Sequence, residues 1–92
     1  MHKPCSPDEL LDFPCYYEFK AFAAAAGDEA FADAVYLAVS GVIPLGRELL
    51  RTRLSSGGRY QCVTVGVRLE SATQLSAIYA NLRGIAGLRY LL

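Results

Sequence analysis

The stretch SSGGRYQCVTVGVRL, residues 55–69, decides the fold. Ser55, Ser56, Gly57 and Gly58 are turn formers, and the two glycines supply backbone freedom that a tight connection needs. Beyond them Val63, Val65, Val67 and Leu69 take every second position, with Tyr60, Cys62, Thr64, Gly66 and Arg68 between them. A period of two is the spacing of a strand with one buried face, so Tyr60–Leu69 is read as a strand entered through a hairpin.

Working upstream, residues 46–54 form the other arm, with Leu50, Thr52 and Leu54 on one side and Arg51 and Arg53 on the other. Before it, Phe31, Val35, Ala38 and Val42 recur at helical spacing behind Asp28 and Glu29, which favour a helix N-terminus, and Gly41 and Pro44 end the run. Residues 15–23 alternate again: Tyr17, Phe19 and Ala21 on one side, Tyr16, Glu18, Lys20 and Phe22 on the other. A competing signal lies in Ala21–Ala26, rich in the best helix former, and Gly27 before Asp28 favours a break there. Residues 1–12, with two prolines, a serine and three acids, are read as a flexible leader, and residues 13–92 as a single domain.

Downstream, Ser71 and Gln74 have the spacing of a capping box ahead of Leu75, Ile78 and Leu82, with Gly84 as the stop. Residues 88–92 are short and β-prone after Gly87, and close the order strand, helix, strand, strand, helix, strand. That order is the ferredoxin-like βαββαβ arrangement, an α+β sandwich. Strands one and three pair at the centre of a four-stranded antiparallel sheet. Two helices cover one face, and the other is left open.

Composition fits a packed core. Of 92 residues 53% are apolar and 20% charged, a balance that offsets ordering entropy. Net charge is zero, but residues 1–46 hold seven acids against two lysines and residues 47–92 seven arginines against two glutamates. Either this split marks a surface for an anionic partner, or folding interleaves the halves and cancels it. The longest charge-free run, residues 34–46, is far short of the roughly 20 apolar residues of a membrane helix. With no signal-peptide pattern at the start, a cytoplasmic location off the membrane is expected.

The residues Phe13-Pro14-Cys15, Lys20, the run Ser56-Gly57-Gly58-Arg59-Tyr60 leading into Val63-Thr64-Val65, Leu75 with Ile78-Tyr79, and the final Leu92 together resemble the YbeD-like family of small bacterial proteins. The resemblance covers about residues 13–92 and departs from the family pattern at Ala23, where a glycine is expected. It implies a ferredoxin-like fold similar to ACT domains, which sense small molecules and regulate metabolic enzymes. It also hints at the lipoate pathway, because relatives are similar to proteins encoded beside lipoate-attachment enzymes.

Little in the residues points to catalysis. The only histidine is His2 in the leader, which removes Ser-His-Asp and Cys-His machinery and most metal sites. Asp28, Glu29 and Asp33 crowd one helix start, where capping explains them. Cys15 and Cys62 fall near opposite ends of the paired central strands, some 20 Å apart, too far for a disulfide. By parity Cys15 faces the core and Cys62 the open face. The Ser55–Gly58 loop precedes a strand, so no helix N-terminus faces a phosphate there.

The expectation is therefore a non-catalytic regulatory or adaptor domain, without metal or cofactor, that binds a small metabolite or a partner protein. A second copy of the chain is one candidate partner. The surface assigned to it is Tyr16, Lys20, Arg51, Arg53, Arg59, Tyr60 and Arg68, on the open face and hairpin. The alternative is an RNA-binding module stacking bases on that face. It is the weaker one, since residues 59–63 lack the glycine and aromatic run of the RNA-recognition pattern and net charge is zero. A bland third account pairs Glu18 with Arg68 across the strands and leaves the arginines as a solvated face.

Overall fold

Pleat parity, helix caps and the glycine turn each act locally, and together they place most of the elements. The computed structural model describes residues 12–92, so the leader expected at 1–12 lies, but for Asp12, outside the described residues. The elements are β1 (Cys15–Ala24), α1 (Ala30–Ser40), a 3-10 turn (Arg47–Leu49), β2 (Leu50–Leu54), β3 (Tyr60–Leu69), α2 (Ala72–Arg83) and β4 (Leu88–Leu91). The sheet is antiparallel in the order β2-β3-β1-β4, the ferredoxin-like topology.

At the centre, β1 and β3 pair over ten residues from Cys15↔Leu69 to Ala24↔Tyr60. The contest between strand and helix in Ala21–Ala26 goes to the strand as far as Ala24. Ala21 and Ala23 stand opposite Val63 and Gln61 and are buried, which outweighs alanine's helix propensity. Gly27 then takes a positive φ of 76°, and Asp28 Oδ1 accepts from the Ala30 N–H at 3.1 Å to open α1.

α1 buries Phe31, Ala32, Val35 and Val39, while Ala38 and Val42 pack at the core's margin. The most deeply buried line is thus Phe31, Val35 and Val39 at i, i+4 and i+8, with the expected Ala38 on its flank beside α2, where Asn81 Nδ2 donates to the Ala38 carbonyl at 3.0 Å.

The second strand begins at Leu50 and not at Gly46. Arg47 is held to α1 by Asp33 Oδ1 at 2.6 Å and Glu29 Oε1 at 3.0 Å, and its guanidinium lies 5.9 Å from the centre of the Tyr36 ring. Tied there, residues 47–49 coil instead of extending. The hairpin loop closes as its residues predict: Gly57 and Gly58 take φ of 89° and 74°, and Ser55 bonds Tyr60 through both backbone and hydroxyl. Ser71 Oγ caps α2 by accepting from the Gln74 N–H at 3.3 Å, while the returning Gln74 Oε1 reaches the N–H of Glu70, one residue early for a capping box.

Both helices contribute to one core. Phe19, Val35, Val39, Val63, Val65, Leu69, Ile78 and Leu82 are its most deeply buried large side chains, each worth roughly 1.5–3 kcal/mol of burial.

Candidate functional site

On the face away from the helices the register forms a grid. Arg51, Thr64 and Lys20 make one row across β2, β3 and β1, and Arg53, Cys62 and Phe22 the next. The middle of each row is short: Thr64 is buried and Cys62 half-buried, while Arg51 and Arg53 stand exposed. Two small side chains between longer ones make a trough, with a volume of about 720 Å³. Tyr60, Ser55 and Ser56 close the hairpin end. Beside Phe22, Tyr90 of β4 meets it edge-on at 5.8 Å between ring centres, extending an apolar shoulder.

Charge is unbalanced in this trough. Lys20 Nζ donates to Thr64 Oγ1 at 3.4 Å. Glu18 lies 3.8 Å from both Lys20 Nζ and Arg51 Nη2, so one carboxylate serves two cations at the long limit of an ion pair. Arg53 has no ion pair among the described residues.

Of the seven residues singled out from sequence, Lys20, Arg51, Arg53 and Tyr60 come together here. Tyr16 and Arg68 sit opposite one another six residues further along the ladder, about 20 Å from the Cys62–Phe22 row. Tyr16 lies over Gly66, where a Cβ would overlap its phenol ring, and Arg68 Nε donates to Glu70 Oε2 at 3.2 Å. The expected Glu18–Arg68 pair does not form, because the register sets Glu18 opposite Gly66. Arg59 is in the exposed loop and does not line the trough.

Sequence reading did not assign Thr64, Cys62, Phe22 or Tyr90 to the site. Parity put the first three on the right face, but that two short side chains would form a floor is visible only once β2 lies alongside. For Tyr90 a four-residue edge strand carries no register signal of its own.

The charge split of the chain is partly cancelled by folding, since Arg47 meets Glu29 and Asp33 and Arg51 meets Glu18, in each case across the two halves. Cys15 packs on the core side and Cys62 opens to the trough, their rows seven residue steps, about 23 Å, apart. No group of three or more His, Cys, Asp or Glu with metal-holding geometry occurs among the described residues. Nor is any helix there long and apolar enough to cross a membrane.

On the helix-covered side, Tyr17 and Tyr79 join phenol to phenol at 2.8 Å. Burial first, then this hydrogen bond, raises the Tyr79 pKa well above the ordinary tyrosine value, with Arg83 nearby opposing. Held protonated in this way, the Tyr79 phenol keeps its hydrogen bond with Tyr17 at neutral pH.

A four-stranded antiparallel sheet with two helices on one face and a cationic trough on the other defines a small ferredoxin-like α+β protein. The family described as "Protein of unknown function (DUF493)" matches residues 8–92. UPF0250 proteins of Shewanella woodyi, Shewanella putrefaciens and Idiomarina loihiensis are 33%, 36% and 34% identical to it, each over 92% of this chain and 93% of the relative. The chain belongs to this DUF493/UPF0250 family of small bacterial proteins, the YbeD-like group its motifs resemble.

Proposed function

We propose that the protein is a non-catalytic regulatory or adaptor domain of the cytoplasm, binding a small metabolite or a partner protein at the hairpin half of its open sheet face. The observation that carries this is the trough itself, a concavity lined by three cations over a floor of short side chains on the central strand β3. The likeness to ACT domains lends support at the level of fold alone. A second concavity, about 690 Å³ between α1 and the turn before β4, is lined mainly by alanines and other apolar groups and offers few polar groups to fix a ligand.

Side-by-side pairing of two β2 strands would bring four arginines onto one face, so like-charge repulsion works against a dimer through that edge. A dimer formed through the sheet face would instead bury the trough.

The test is a titration of isotope-labelled protein with pooled metabolites, followed by backbone amide shifts, beside capture of partners from the native host. Saturable shifts at Lys20, Arg53 and Thr64, weakened by Arg51→Gln, Arg53→Gln or Tyr60→Ala, are expected. Shifts confined to the alanine-lined concavity, or binding indifferent to these substitutions, would overturn the assignment. A second reading, single-stranded RNA on the same face, is favoured by Phe22 and Tyr60 on neighbouring central strands. It requires affinity that falls steeply with salt, and a flat salt response removes it.

A further inference from the structure

Resting on that reading of the open face, we propose that the trough takes a compact dianion, a small phosphate monoester or a dicarboxylate, seated over Thr64 and Cys62 between Arg53 and Lys20. Three cations, Lys20, Arg51 and Arg53, line the trough, and one carboxylate, Glu18, stands beside two of them, which leaves an excess of two positive charges. Glu18 holds Lys20 and Arg51 only at 3.8 Å, a distance at which a ligand oxygen making direct charge-assisted bonds of about 2.8 Å competes well.

Geometry sets the size. β2 and β1 are two strand spacings apart, about 10 Å between the backbones that carry the two cationic walls. Long side chains leaning inward from both walls bracket a group of a few ångströms, not an extended polyanion. The floor also selects. Thr64 offers a hydroxyl already engaged by Lys20 Nζ, and this hydroxyl is turned to the ligand when the lysine rotates onto the anion. Phe22 and Tyr60 border the trough, so the carbon skeleton of the ligand has an apolar surface to lie on.

Matched probes at pH 8 and low salt test this: phenyl phosphate against benzyl alcohol, and succinate against succinamic acid and succinamide. The readouts are amide shifts and the rate at which iodoacetamide, itself uncharged, alkylates Cys62. A dianion is expected to saturate Lys20, Arg53 and Thr64 about tenfold or more tighter than its less charged counterpart, and to slow alkylation of Cys62 but not of Cys15. Which of the two dianions binds tighter identifies the source. Arg53→Gln and Lys20→Gln should each weaken binding about tenfold, and Arg89→Gln, on the other side of β4, should leave it unchanged. Equal binding of the uncharged probes would overturn the dianion while leaving the open-face reading intact. Absence of any dianion binding at the trough overturns the dianion directly, and the metabolite titration then decides separately whether the face binds anything.

Discussion

Val65 and Gly66 are neighbours in β3, yet they belong to opposite halves of the molecule's economy. Val65 is 1% exposed, locked among Phe19 and the helix side chains, whereas Gly66 has no side chain and lies beneath the exposed phenol of Tyr16. The same contrast repeats along the whole sheet. On the covered face large apolar groups interdigitate, and every atom removed is missed. On the open face short residues form the floor and long charged ones the rim, so little is packed and much is reachable. One backbone ladder supports both because its side chains alternate, and a rigid core on one side holds the geometry of the other.

Substitutions that break the comparison from the covered side carry the largest effects. Phe19→Ala should cost about 3–5 kcal/mol, a large part of the stability of a domain this size, and is read as loss of a cooperative denaturant transition near neutral pH or a steep fall in its midpoint. A loss below about 1 kcal/mol would mean that the ring is not packed as described.

Next is the phenol-to-phenol bond of the covered side. Tyr79→Phe leaves the Tyr17 hydroxyl without its 2.8 Å partner and should cost about 1 kcal/mol at neutral pH. The folded protein holds the Tyr79 proton more tightly than the unfolded chain does, so this contribution is complete below about pH 10, the ordinary tyrosine value, and declines as pH rises above it. Denaturant midpoints of wild type and Tyr79→Phe should therefore converge above pH 10. Parallel profiles would show that Tyr79 ionises alike in the folded and unfolded chain.

A smaller effect, about 0.5–1 kcal/mol and weakened by salt, is expected for Arg47→Ala, which frees the 3-10 turn from Glu29 and Asp33 at the exposed margin between the two faces. Thermal midpoints at low and high salt read it. The turn itself also shows where sequence reading stops. Residues 55–69 revealed their turn, strand and buried face because each signal there is local: glycines with positive φ, then strict alternation. Residues 46–49 looked like more of the same strand, since the ion pairs that coil them come from α1, fourteen and eighteen residues earlier. The site divides on the same principle. Parity alone assigned Lys20, Arg51, Arg53 and Tyr60 to the open face, but only the register between strands separates them from Tyr16 and Arg68, and only the edge pairing of β4 adds Tyr90. Local periodicity fixes which face a residue is on, and long-range register fixes its neighbours.

The smallest change in stability is expected where the open face is touched, and there the comparison is sharpest. Gly66→Ala inserts a Cβ beneath Tyr16, but what it meets is the far end of a side chain that is 70% exposed and free to swing aside. Against that displacement stands the gain of about 0.5–1 kcal/mol that alanine brings over glycine in a strand interior, so the net change should lie within about 0.5 kcal/mol of zero. Arg53→Gln should likewise be silent in stability, because Arg53 is exposed and has no ion pair among the described residues. Equilibrium unfolding of both variants beside Val65→Ala, which removes two buried methyl-sized groups and should cost about 2 kcal/mol, sets the two faces against each other on one strand pair. If Arg53→Gln proved as costly as Val65→Ala, the arginine would be a structural element and the trough part of the scaffold. A silent Arg53→Gln leaves binding as the property that this side chain changes.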